Sequence, residues 1–142
     1  MDDSSSLPSS VGLSAEERQW AMLAHLSVLL NLVTGLGGPI AAFLIYLFYR
    51  ERSHHVAFHA LQSLVFQLFA WVAGIVIAGI TWAFALTLTA LMVGICIYPF
   101  ACLLSLIPLG ALVYGIIGAI ACSRGEDFRY WLIGDWVAAS FR

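Results

Sequence analysis

Residues 68–98 read LFAWVAGIVIAGITWAFALTLTALMVGICIY, a stretch without a single charged side chain. It sits inside a longer run, Ser53 to Ser123, that holds no Asp, Glu, Lys or Arg. About 18 to 20 consecutive apolar residues suffice for one membrane-spanning helix, and this run far exceeds that length. The whole chain agrees with it. Of 142 residues, 62% are hydrophobic and 10% charged, and the mean hydropathy is +0.96. Soluble domains carry about 25% charged residues, so too little polar surface is present to cover an exterior in water. An all-α integral membrane protein is the expectation.

Working outward, one helix begins near His54 or His55 and continues past Trp82. A turn is expected somewhere in Phe84–Gly94, placed by length alone. A further helix then runs to about Cys122 with Pro99 and Pro108 inside it, where kinks are expected. Upstream, Ser14-Ala15-Glu16-Glu17 has the pattern of a capping box and starts a helix. Trp20 follows at interfacial depth, and the apolar stretch runs to Thr34. Gly35-Leu36-Gly37-Gly38-Pro39 breaks this helix. The next one, Pro39 to about Tyr49, is only about 18 Å long, against a hydrocarbon core of about 30 Å. The pair forms a short first hairpin whose Gly-rich turn either lies inside the membrane, buried by protein, or meets a thinned bilayer.

The expected architecture is a four-helix transmembrane bundle over residues 14–127. A disordered acidic, Ser-rich tail (1–13) precedes it and an interfacial amphipathic helix (128–142) follows. No cleavable signal peptide is visible. All six basic side chains are arginines: Arg18, Arg50, Arg52, Arg124, Arg129 and Arg142. With four crossings they share one face, which the positive-inside rule makes cytoplasmic. The expected location is the bacterial cytoplasmic membrane, with both termini inside.

Two kinds of side chain interrupt the apolar pattern. Asn31, His59, Gln62 and Gln67 form a polar intramembrane cluster, because an amide facing lipid costs free energy unless paired. If their role is structural, Gln62→Leu should leave helix packing nearly intact. His25, His55 and His59 are the candidates for holding a cofactor. His55 and His59 stand at i and i+4 and could share a metal, yet no carboxylate or cysteine near them in sequence completes a site. No metal site and no cofactor are expected on this reading, although ligation of a metal or tetrapyrrole by a histidine stays open. Glu126 and Asp127 read as solvated acids in an exposed turn. Cys96, Cys102 and Cys122 read as small hydrophobes. Small-residue ladders, Ala70-Gly74-Ala78 and Ala111-Gly115-Ala119, read as close helix contacts, with each other or with a partner. Trp71, Trp82 and Phe84 are expected to face lipid or neighbouring subunits.

Four motifs resemble a bacterial membrane family of unknown function, named for its similarity to a channel-type component of the chloroplast inner-envelope Tic translocon. They are Arg18-Gln19-Trp20-Ala21-Met22-Leu23-Ala24-His25-Leu26-Ser27, the Gly38-Pro39 break, Phe58-His59-Ala60-Leu61-Gln62-Ser63-Leu64-Val65-Phe66-Gln67, and Ala119 to Tyr130. The resemblance spans about residues 14 to 135. It departs at Trp131, where the family usually has proline, and in the arginine-only turn Arg50–Arg52. It implies a four-helix membrane domain and no assigned activity.

No nucleophile–base pair, phosphate loop or carboxylate pair is visible, so catalysis is not expected. The net charge of −2 gives no reason to expect nucleic acid. The expected role is a non-catalytic accessory or scaffold subunit of a larger membrane complex, whether respiratory, photosynthetic or translocating. The alternative is an oligomeric transport or protein-translocation component. The expected partners are the lipid bilayer and either another membrane protein or further copies of the chain.

Overall fold

The computed structural model describes residues 12–140, and every regular element among them is helical. Most of the expected N-terminal tail lies outside the described residues. The Ser14 cap is present. Its hydroxyl accepts from the Glu17 amide, and the Glu17 carboxylate accepts from the Ser14 amide and hydroxyl. α1 (Ala15–Leu26) starts there and passes without a break through a 3-10 turn, Ser27–Leu30, into α2 (Asn31–Thr34). Gly35, at φ +78°, reverses the chain into α3 (Gly37–Tyr49).

The tip of this hairpin is built to do without water. A helix start leaves its first amides without intrahelical partners. Here the Gly37 amide donates to Thr34 Oγ1, the Gly38 amide to Asn31 Oδ1 and the Ile40 amide to the Leu36 carbonyl. Pro39 has no amide hydrogen to place. Leu32, Val33, Leu36 and Ile40 cover the outside of the tip and are exposed. A turn with paired amides and an apolar coat can lie in hydrocarbon.

Ser53 caps α4 (His54–Gln67), which continues through a π-helical turn, Leu68–Val72, into α5 (Ala73–Thr89). Together they make 36 helical residues, about 54 Å if straight. The turn that follows falls at Ala90–Met92, inside the expected window, with Met92 at φ +61°. A 3-10 turn leads to α6 (Tyr98–Leu104) and then α7 (Ile107–Ser123). Pro99 lies in the first turn of α6, and Pro108 lies just past the break at Ser105–Leu106 that interrupts the Tyr98–Ser123 span, where a kinking proline stands. Both positions suit a residue lacking the amide that a first turn leaves unpaired anyway. The Ser105 hydroxyl at the joint accepts from the Trp82 indole, tying α6 to α5.

Two helices, His54–Thr89 and Tyr98–Ser123, are long and apolar enough to cross a membrane. Their most apolar windows have mean hydropathies of 2.2 and 2.3, yet only 22% and 17% of those residues are buried inside the protein. A core helix of a soluble protein would be mostly buried. Helices this apolar with their flanks uncovered need an apolar solvent. α3, at 13 residues, is too short to cross.

After α7 the chain closes in a Schellman turn. The Gly125 amide donates to the Cys122 carbonyl and the Glu126 amide to that of Ala121, with Gly125 at φ +77°. The turn aims Asp127–Tyr130 back beneath the helices, and α8 (Gly134–Ser140) follows. The tail is more than an interfacial strip. Tyr130, Ile133 and Val137 are buried with Phe58, while Trp131, Leu132 and Trp136 stay exposed.

The small-residue ladders do not chiefly meet each other. A side chain at Gly74 would meet Ile107 and Pro108 of α7, but one at Gly115 would meet Val28 and the His25 carbonyl. The α7 ladder therefore seats the first helix at that point. Ala78, Ala111 and Ala119 are buried and Ala70 is half-buried. Trp71 is also corrected: it is buried beside Val28 and Leu112 rather than facing lipid, and its indole N–H is without a hydrogen-bond partner.

Glu17 joins the first hairpin to α4, because its carboxylate also accepts from the Ser53 hydroxyl at 2.7 Å. That bond first, and the Ser14 bonds next, hold its pKa below the usual carboxylate value. A lowered folded-state pKa gives stability that is present above the ordinary carboxylate range and lost as pH falls through the folded value. Glu17→Gln is expected to be less stable than wild type at pH 7 by about the worth of a helix cap, ~1 kcal/mol. The two melting curves should converge in acid. A pH-independent gap between them would contradict the assignment.

Candidate functional site

A polar network runs through the otherwise apolar interior of this protein. His25, Ser27, Asn31, His59, Gln62, Ser63 and Gln67 are all buried, and they form connected layers across α1, α3, α4 and the segment after α7.

The layer nearest the hairpin tip centres on Gln67. Its Nε2 donates to Ser27 Oγ and Ser63 Oγ, both at 2.9 Å, and its Oε1 accepts from Asn31 Nδ2 at 3.2 Å. Ser27 and Ser63 then both donate to the Ala24 carbonyl. Asn31 closes the chain by accepting from the Gly38 amide. The side-chain amide groups at the centre of this layer are paired, as the absence of water in hydrocarbon requires.

Gln62 works differently. Its Nε2 donates to the Phe128 carbonyl at 3.0 Å and its Oε1 accepts from the Tyr130 amide at 3.3 Å. One side chain thus grips two backbone groups of the returning tail. Tyr130 is held further by stacking on Phe66, ring centroids 3.9 Å apart. Burial pushes its hydroxyl pKa up, so the group stays protonated.

The third layer collects the histidines. His25 Nδ1 lies 3.0 Å from Tyr130 OH, and His25 Nε2 lies 3.2 Å from His59 Nδ1. Cys122 Sγ is 3.4 Å from the same His59 Nδ1. On the other side of the His59 ring, Nε2 faces Asp127 Oδ1 at 3.6 Å. The His55 and His59 ring centroids are 4.5 Å apart. The Nε2 atoms of both rings are buried without a hydrogen-bond partner. Asp127 is not merely a solvated acid. His59 first, and Arg129 at 3.6 Å in addition, hold its carboxyl below the usual range.

The structure therefore brings together His25, His55 and His59, the three cofactor candidates, and places Gln62 beside the tail rather than with Asn31 and Gln67. Asp127, Cys122 and Tyr130 complete the histidine layer; in sequence Asp127 reads as a solvated acid and Cys122 as a small hydrophobe, and Tyr130 has no assigned role. Gly118 was missed as well; a side chain there would press on Phe128 and His25 Nδ1. Nothing local in the sequence marks these residues, because their contacts with His25 and His59 span 63 or more positions.

Residues 16–137 match the model of the magnetosome magnetite crystal formation protein family, MamF/MmsF. The chain belongs to this family. The match takes in every layer just described, from Glu17 to Val137. It replaces the resemblance to the Tic import component, which nothing in the comparisons supports. Neither a curated protein nor a solved structure matches the chain. MamF/MmsF membership agrees with the uncovered apolar helices in making this a membrane protein.

Proposed function

We propose that this MamF/MmsF chain is a non-catalytic membrane protein of the magnetosome that acts in magnetite crystal formation by association with other membrane components. The family match over residues 16–137 carries the reading. The arrangement of the polar groups supports it. The interior amides are spent on holding helices and tail together, and Cys122, whose thiol lies 3.4 Å from His59 Nδ1, is fully buried. The transport alternative draws no support from this interior, where Gln67 and Asn31 are engaged with each other and their neighbours.

Deleting the chain from a magnetite-forming host that carries it is expected to change the size or number of crystals while membrane vesicles still form. Re-expression of the wild type should restore them. Crystals unchanged in size, number and habit would overturn the reading. The topology belongs to the same proposal: four membrane-embedded segments, the first two a hairpin of limited depth, with both termini on the arginine-bearing cytoplasmic face. A cysteine introduced as Ser140→Cys, in a chain whose Cys96, Cys102 and Cys122 are replaced by alanine, should resist a membrane-impermeant thiol reagent applied to intact cells and react after lysis. Labelling from outside would contradict this topology.

A further inference from the structure

We propose that His55, His59 and Asp127 form a binding site for a divalent first-row transition-metal ion. The inference stands on these donors and holds whatever the chain does for crystals. His55, His59 and Asp127 each offer one ligand atom, and these atoms lie within 4.8 Å of one another. Donors around one ion at about 2.1 Å stand about 3.4 Å apart in tetrahedral geometry, so the set has to draw in by about an ångström. His55 is half-buried and Asp127 exposed, and both have room to make that movement. His59 is fixed and fully buried, and the buried Nε2 atoms of both histidines are unpaired in hydrogen bonding. A buried polar atom without a hydrogen-bond partner calls for an explanation, and here one of them, His59 Nε2, faces the Asp127 carboxylate at 3.6 Å.

The neighbouring layer equips His59 for this role. A histidine that binds metal through one nitrogen is oriented by what the other nitrogen does. With a proton on His59 Nδ1, that N–H donates to His25 Nε2, and His25 Nδ1–H donates to the Tyr130 oxygen. His59 Nε2 then presents its lone pair toward Asp127. With the protons shifted the other way, Tyr130 donates to His25, His25 donates to His59 Nδ1, and His59 Nε2–H faces the Asp127 carboxylate. The same side chains thus present a lone pair at His59 Nε2 in one arrangement and a proton there in the other.

The deeper set, His25, His59 and Cys122, is less suited to an ion. All three residues are buried, and their donor atoms already face one another or Tyr130. The outer set opens at Asp127, which gives an ion an entry path and leaves coordination positions for water. Two imidazoles and one carboxylate suit Fe2+, Co2+ or Zn2+. They do not suit Ca2+ or Mg2+, which take oxygen donors, or Cu+, which takes thiolates.

The test is a Co2+ titration of the full chain, purified in detergent with a tag that contains no histidine, and followed by visible absorption. The expected result is saturation at one ion per chain, with a ligand-field spectrum and no thiolate-to-cobalt charge-transfer band. Asp127→Asn and His55→Gln should each weaken binding by about tenfold or more, with unchanged circular dichroism. His54→Gln, on the preceding position, should bind as wild type. Absence of saturable binding would overturn the proposal, as would binding indifferent to both substitutions. A charge-transfer band would also overturn it, by placing the ion at Cys122.

Discussion

Gly38→Val is expected to abolish the stable fold of this protein, the largest effect of any single substitution considered. A side chain at Gly38 would run into the Gln67 amide oxygen and would meet Asn31 Oδ1 and the Ser27 carbonyl, each at 2.7 Å. All three are oxygens held in place by a paired network, so none can swing away at low cost. Overpacking alone costs about 1 to 3 kcal/mol, and each buried polar group left unpaired adds about 1 to 3 kcal/mol. The sum reaches or exceeds the stability left to many domains. The variant should be aggregated or fully labile when its thermal unfolding is followed in mild detergent. Gly79→Ala is the matched control: it adds a methyl group in open space on the exposed face of α5. It should be neutral or stabilising by up to about 1 kcal/mol, since alanine favours a helix interior. Wild-type melting of Gly38→Val would mean that the hairpin is not packed against α4 in this register.

Gln62→Leu is expected to cost about 2 kcal/mol or more and to release the C-terminal segment. On sequence alone the same change should be mild, because an apolar replacement needs no partner of its own. The structure reverses that expectation. The partners of Gln62 are the Phe128 carbonyl and the Tyr130 amide, backbone groups that no side-chain substitution removes. Removing one side of a hydrogen bond and leaving the other buried incurs the full desolvation penalty. Trypsin offers a direct reading, since Arg129 stands between the two gripped residues, Phe128 and Tyr130. Cleavage after Arg129 should be markedly faster in Gln62→Leu than in wild type. An unaltered cleavage rate together with an unaltered melting temperature would show that the grip carries no weight.

These two cases show what was legible in the chain. That Gln62 and Gln67 need partners follows from chemistry, because an amide in hydrocarbon must be paired. Which partners they take does not follow. Gln67 meets Asn31 and Ser27 of the adjoining hairpin, 36 and 40 residues away, but Gln62 meets a segment 66 to 68 residues away. Composition and the uncharged run from Ser53 to Ser123 point to helices in a membrane. The length of α3 points to a hairpin of limited depth. Of the expected four-helix bundle with its short first hairpin, the fold displays two helices long and apolar enough to cross a membrane. Pro108 marks the expected break within Tyr98–Ser123, whereas Pro99 opens that span, because a missing amide fits a helix start as well as a kink. Asp127 read as solvated because its neighbours in sequence are polar. The Gly125 turn, which carries it back to His59, acts through a backbone angle. Trp71 read as lipid-facing because its neighbours are uniformly apolar, and in such a stretch periodicity does not separate an inner face from an outer one.

The reach of the tail sets an order of events during synthesis. His25, His59 and Gln62 leave the ribosome well before their counterparts at positions 122–130, and the Tyr130–His25 contact spans 105 residues. Until the last helix has been inserted and the chain has turned at Gly125, the Gln62 amide has no native backbone partner. Residues 127–137 therefore close the assembly, and loop closure over such a span comes late. A nascent chain that stalls or is truncated short of Phe128 would carry its helices yet retain an open amide and an unfinished histidine layer. Such a chain is a recognisable substrate for membrane quality control.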